Sequence, residues 1–341
     1  MLDDMVSFFL GQTKRRSGEL LLSCVLLALG ACSSERSGIL EVGPQPAPRP
    51  LTEGDYRLES GELPRPGEAI RFALSPTAGS EAVRRQYTPV AEFLSETLGA
   101  PIEVLVATSY DDLVEKVAAK KVDLALLPPL SYVIADEKSE SLELLATAMN
   151  RVRTTYSAFI LVRRDDRAQS LSDLGGRRLA LVSRSSTSGY LLPMSAFARH
   201  GIDPDNFFSE IVMAGTHTAA IEMLMRGQVD AAATATGMQE IARIFAESDD
   251  SEPTQNQALR VLIKTGEAPY DALCSIGDVP KGFKRKVRGA LALMNSRNES
   301  ARKALEATET ITGWLSLDDS AYNSIREVRR SQANDVAKEA K

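Results

Sequence analysis

The chain is poor in the residues from which catalytic and metal sites are most often built. Among 341 residues there are three cysteines, two histidines and one tryptophan. The histidines, His200 and His217, stand alone, and no His/Cys/carboxylate group has ligand spacing, so neither a metal nor another cofactor is expected. No serine sits in a G-x-S-x-G elbow, the signature of one large hydrolase class. Positive charge is also short: 40 Lys and Arg face 46 Asp and Glu, a net charge of −6, which argues against a nucleic-acid partner. An anion would therefore have to be held by a local device and not by a broad basic field. What remains, 43% hydrophobic and 25% charged residues, is the composition of a globular protein long enough for two ordinary domains.

The N-terminus reads as an address. Lys14, Arg15 and Arg16 precede the apolar run LLLSCVLLALGAC, which ends in small residues and is short for a membrane span. The tetrad Leu29-Gly30-Ala31-Cys32 resembles a bacterial lipobox. That resemblance implies that residues 1–31 are a lipoprotein signal peptide, with cleavage before Cys32 and lipidation of its thiol. An ordinary signal peptide ending in cysteine is the alternative. The acidic MLDDMVSFFLGQT is unlike an n-region and makes Met5 an alternative start. Cys24 would leave with the signal, so Cys274 is the one thiol left to the mature domain, which then has no internal disulfide. Residues 32–68 carry prolines at 44, 46, 48, 50, 64 and 66 among scattered charges, and read as a flexible tether.

From Ala69 apolar strands alternate with amphipathic helices, the pattern of parallel sheets with crossover helices. The pattern then restarts. "AAKKVDLALLPP" and "MRGQVDAAATAT" both run from a helix end through Val-Asp into a small apolar strand. The expected fold is α/β, a two-lobed clamshell with two strand crossings between the lobes. Lobe 1 would comprise residues 69–163 and 266–341, with the C-terminal helices, and lobe 2 residues 164–265. A ligand would lie between them, at the carboxyl ends of the strands.

Candidate site residues gather at strand-to-helix turns. SRSSTSGYLLP offers Ser183, Ser185, Ser186, Thr187 and Ser188 just ahead of Gly189. The first N–H groups of a helix lack partners and carry partial positive charge, so hydroxyls there can complete a cradle for an oxyanion. Gly189 would let the anion approach the backbone. The same serines would also serve as a helix cap with solvated neighbours. His217, in AGTHTAA, opens a second such turn, while His200 ends a helix. Asp271, in EAPYDAL, would accept a proton from a ligand hydroxyl, pair with a ligand ammonium, or simply shape a turn. Tyr87 and Tyr132 would be wall residues, either able to offer a hydroxyl.

Residues 69 to 329 resemble the phosphate-, phosphite- and phosphonate-binding proteins of bacterial ABC importers, a branch of the two-lobed periplasmic binding proteins. YTPVAEFLSETLG, VDLALLPPLSYVIA, STSGYLLPMSAFARHGIDPDNFF, AGTHTAAIEMLMRGQVDAAA and GWLSLDDSAYNSIR carry the likeness. It implies that Ser186, Thr187 and Ser188 grip phosphoryl oxygens and that His217 donates from the next turn. Tyrosine hydroxyls from the first lobe and a carboxylate for amine-bearing ligands complete the implied site. Thr236 or Gly237 stands where aminophosphonate binders carry a glutamate, Glu240 lies too far along to replace it, and a tyrosine of that subgroup is missing near Leu127. These departures favour phosphate, phosphite or a small alkylphosphonate over 2-aminoethylphosphonate. The resemblance implies a lipid-anchored, monomeric solute-binding protein at the cell envelope that serves an ABC permease. A sensing lobe for a membrane partner would use the same site. A hydrolase built on Ser188, His217 and Asp271 is the remaining alternative.

Overall fold

The first sheet is assembled from both ends of the chain, and the second from the stretch between them. A computed structural model describes residues 51, 57–151, 153–237, 258–295 and 298–339, all within one compact unit. The signal segment 1–31, Cys32, the first part of the tether and Glu240 lie outside the described residues.

The chain opens with β1 (Ile70–Leu74), α1 (Ser80–Leu98), β2 (Ile102–Val106), α2 (Tyr110–Ala118) and β3 (Leu124–Leu127). α1 stops at Gly99, whose φ of 71° is the left-handed cap that glycine adopts without strain. α3 (Pro129–Lys138) follows directly, with proline in its first turn, where a missing N–H breaks no bond. β4 (Leu142–Met149) then leads out of the first lobe.

β5 (Thr155–Arg163), β6 (Arg178–Leu181), α4 (Leu192–Arg199), α5 (Pro204–Phe207), β7 (Glu210–Met213), α6 (His217–Met225), β8 (Ala231–Ala235) and β9 (Leu259–Pro269) build the second lobe. β10 (Ala272–Ile276), α7 (Lys281–Met294), α8 (Glu299–Glu306), β11 (Gly313–Leu315) and α9 (Asn323–Glu339) return to the first. The strand orders are β11-β4-β10-β3-β1-β2 and β7-β6-β8-β5-β9. In each, three parallel strands meet an antiparallel fourth that arrives from the other half of the chain: β10 beside β3, β5 beside β8.

This topology confirms two α/β lobes with two crossings and corrects their boundaries. The 155–163 strand, expected in lobe 1, pairs with β8 and β9 of the second sheet. Lobe 1, expected to resume at residue 266, resumes later: β9 stays in lobe 2 to Pro269 and β10 starts at Ala272 in lobe 1. The crossings therefore fall between Met149 and Thr155 and at Tyr270–Asp271. Alternation along a strand announces a buried face but names no partner, which is why the sheet of β5 was not readable.

The end of the expected tether is not free. Leu58 N–H donates to the Leu98 carbonyl, and Leu51, Leu58 and Leu63 pack on the first-lobe core. Arg65 holds Asp123 at 2.7 Å, and Glu62 meets the almost fully buried Lys286 at 2.5 Å. Residues 57–68 form a strap across the amino-terminal ends of β1 and β3, on the far side of the lobe from the carboxyl ends that face the second lobe.

Candidate functional site

Four helical amino-termini and one strand-to-helix loop converge where the lobes meet. From lobe 1 come the β1–α1 loop at Thr77, the start of α2 at Tyr110 and the start of α3 at Pro128. From lobe 2 come a π-helical turn, Thr187–Leu191, capped by Ser186, and the start of α6 at His217. Together they border a cavity of about 100 Å³. That is several times the roughly 10–15 Å³ needed by one water, and suits a tetrahedral anion with a small substituent. No Lys or Arg among the described residues lines it. Partial positive charge at helix starts is a local device by which a cavity of this kind can hold an anion.

The hydroxyl run divides its work. Ser186 is a true cap: its Oγ accepts from the Gly189 N–H at 3.1 Å. Ser185 donates to Asp111 of the first lobe, and its carbonyl accepts from the Ser131 hydroxyl at 3.0 Å. Thr187 Oγ1 accepts from the Leu130 N–H at 2.8 Å. Ser188 Oγ faces His217 Nε2 at 3.5 Å. Cap and cradle were posed as alternatives: the structure shows the cap at Ser186 and places the neighbouring hydroxyls at the cavity. Ser186, Thr187 and Ser188 all line the cavity.

Gly189 is needed for another reason than expected. A Cβ there would lie 2.4 Å from Val182, and its N–H is already taken by Ser186. It lets the turn pack against the end of β6 and does not border the cavity. The turn itself is π-helical, a geometry frequent at functional sites.

His217 is buried, with Thr234 Oγ1 at 3.4 Å from Nδ1. Burial pulls its pKa down to about 4, opposed only by the neighbouring Ala233 carbonyl, so the ring is neutral at physiological pH. Its N–H at the start of α6 donates to the Thr77 carbonyl across the lobes at 3.0 Å. With Thr234, and not Asp271, on its Nδ1 side, a Ser-His-Asp relay is not assembled.

Asp271 sits at the second crossing and lines the cavity, with no ion pair to its carboxylate among the described residues. Burial pushes its pKa up to about 7. Tyr87 lies on the cavity wall, with Tyr110, Tyr156 and Tyr270 beside it. Burial first, and the Asp271 charge second, push the Tyr87, Tyr110 and Tyr156 hydroxyls well above their ordinary range. The Tyr110 hydroxyl is buried and makes no hydrogen bond, though Ser186 lies close enough to act on its ionisation. An orphaned buried donor of this kind is costly unless something fills the cavity. Tyr156 lies against the hydroxyls of Thr187 and Ser188.

Tyr132 is a correction. It is buried away from the cavity, its hydroxyl donates to Asp319 at 2.6 Å, and its ring packs on Tyr322 at 4.6 Å. Facing inward from α3, it supports the first lobe's core and not the site. Thr236, at the position of the absent glutamate, lines the cavity, but its hydroxyl is bound to the Ser157 backbone at 3.1 Å in both directions. Tyr110 and Tyr156 were missed because a tyrosine opening a helix and one starting a strand carry no motif. The Ser109 cap just before Tyr110 was the one available signal.

Residues 72–322 match the family model described as the periplasmic substrate-binding protein of phosphonate ABC transporters. The phosphate-import protein PhnD of Mycolicibacterium smegmatis is 27% identical over 173 residues, 48% of this chain and 54% of that one. The phosphonates-binding periplasmic protein of Escherichia coli is 25% identical over 211 residues, 60% of each chain. This chain thus aligns to little more than half the length of either relative. The solved binding-protein component of an ABC phosphonate transporter from Pseudomonas aeruginosa superposes with a TM-score of 0.69 at 21% identity, covering 79% of this chain and 88% of that one, which shows a shared fold. With the matched region running through both lobes and the cavity between them, the chain belongs to the phosphonate-binding family of periplasmic ABC substrate-binding proteins.

Proposed function

We propose that this protein captures a phosphorus oxyanion, namely phosphate, phosphite or a small phosphonate, between its lobes and delivers it to an ABC permease. Cys32 carries the lipid that holds it at the cell envelope. The observation that supports this most directly is a cavity bordered by four helical amino-termini, hydroxyls and a neutral imidazole, with no cationic side chain among the described residues. Ser186, Thr187 and Ser188 grip the phosphoryl oxygens, and Tyr87, Tyr110 and Tyr156 add donors from the other walls. His217 contributes one neutral hydrogen bond. Lobe closure replaces water around the anion with hydrogen bonds to an ionised acceptor, which are stronger than neutral ones. Above pH 7, where it is ionised, Asp271 disfavours a ligand that presents only bare oxygens towards it, because two facing acceptors leave a buried polar group unmatched, at about 1–3 kcal/mol. In that range sulfate is disfavoured and a ligand bearing a hydroxyl proton is admitted, whereas below it the protonated carboxyl donates and the discrimination fades.

Thermal unfolding of ligand-stripped protein with phosphate, phosphite, methylphosphonate, 2-aminoethylphosphonate and sulfate tests this. A ligand at a hundredfold over its dissociation constant adds about 2.7 kcal/mol of stability. Stabilisation by a phosphorus oxyanion but not by sulfate is the expected result, and no stabilisation by any of them would overturn the reading. For the anchor, replacing Cys32 by Ser should release the protein from membranes, and continued attachment would refute lipidation at that residue.

A further inference from the structure

Both ends of the cradle segment are tied to groups that do not line the cavity. At the Ser185 end the partners are Asp111 of α2 and Ser131 of α3. At the Leu191 end the Leu191 carbonyl accepts from Gln332 Nε2 of α9 at 2.8 Å. Gln332 belongs to the C-terminal helix, which is bound to the first lobe by ion pairs and also touches α4 and the π-helical turn of the second. Arg326 bonds Asp136 at 2.8 Å and Asp319 at 2.6 Å, and Arg329 pairs with Glu137. Positions 326, 329 and 332 follow one another at i+3 spacing, so they form a single ridge of the helix. Two ion pairs bind the ridge to α3, and the third position reaches over to lobe 2.

We infer that α9 is a closure latch, and that Gln332, with Asp111 at the opposite end, is a positioning residue for the ligand cradle. A bond between the lobes exists only when they are closed, so it biases the open–closed equilibrium without touching the ligand. Apparent affinity follows the fraction of closed, competent protein, whichever ligand is bound. Losing one neutral hydrogen bond should weaken binding by about two- to tenfold. The factor should be the same for every ligand, which a contact residue would not produce. The proposal uses the oxyanion reading only for its affinity readout.

The variant to make is Gln332→Met, which keeps the stem and removes the donor. Dissociation constants and rates are measured for phosphate, phosphite and methylphosphonate, alongside small-angle scattering of the ligand-free protein. A latch predicts a common loss of affinity carried by faster dissociation, a larger radius of gyration and an unchanged melting temperature. An unchanged affinity and radius, or a loss differing between ligands, would overturn it. Should the wild type bind none of the three, the oxyanion reading fails, and the radius alone decides the latch. Asp111→Ala and Asp111→Asn give an independent pair: the amide oxygen still accepts from Ser185, so Asn should behave like wild type and Ala should loosen the closure. Equal behaviour of the two would count against it.

Discussion

Asp271 and His217 line the same cavity, yet burial moves their pKa values in opposite directions, and the pH dependence of stability separates them. Asp271, pushed up to about 7, holds its proton in the folded state over a range where the unfolded chain has lost it. Its contribution is complete below the ordinary carboxylate range and disappears as pH rises through 7. His217, pulled down to about 4, stays neutral where the unfolded chain is protonated, so its contribution is present above about 6.5 and disappears as pH falls towards 4. Asp271→Asn should therefore raise the melting temperature of the ligand-free protein at mildly alkaline pH and change it little in acid. His217→Gln should flatten the acid side instead. Melting curves across pH for both variants check the signs. The division of the hydroxyls gives a second test. Ser188→Ala should abolish ligand binding with little change in the melting temperature of the ligand-free protein, because Ser188 neither caps nor bridges. Ser186→Ala should lower both, the lost cap costing about 1 kcal/mol. Gly189→Ala forces a Cβ into Val182 and should destabilise the fold by about 1–3 kcal/mol, measurable by denaturant titration.

Helix starts, more than individual side chains, border the candidate site, and most of them could be read from the sequence. Ser109 and Thr216 cap α2 and α6 where hydroxyls precede apolar periodicity, and Gly99 ends α1 as expected. The hydroxyl cluster before α4 announced a cradle. The π-helical turn was hidden, because one added residue in a helical turn has no compositional mark. α3 was passed over because Pro128 and Pro129 read as a stop, whereas proline is at home in the first turn of a helix. The strap was hidden for a related reason. Its prolines suggested a tether, but Glu62 lies so close to Gly282, in the first turn of α7, that a Cβ there would collide with its carboxylate. Glu62→Ala should lower the melting temperature and leave ligand affinity intact, as expected for a contact on the side of the lobe away from the cavity. A parallel loss of affinity would mean that the strap also acts on closure.

At the level of the molecule, the repeat seen in the sequence is a real structural equivalence. Asp123 ahead of β3 accepts from the backbone and guanidinium of Arg71 on β1, and Asp230 ahead of β8 does the same with Arg178 on β6. Two Val-Asp pairs therefore marked the matching corner of each lobe. The lobes' exchange of their fourth strands was not readable, nor were the bonds that cross between them, since these pair residues far apart in the chain through backbone atoms and single hydroxyls. The absence of Lys and Arg from the cavity has a further consequence. Ionic attraction between side chain and ligand weakens as salt is added, while hydrogen bonds inside a closed, water-poor space are screened much less. Affinity measured by calorimetry should thus stay nearly flat from low to near-molar sodium chloride, and a steep decline would point to a cation at the site. Because the protein is itself anionic, added salt should if anything hasten capture by shielding the repulsion of the incoming ligand. Capture of the proposed kind would work as well in brine as in fresh water.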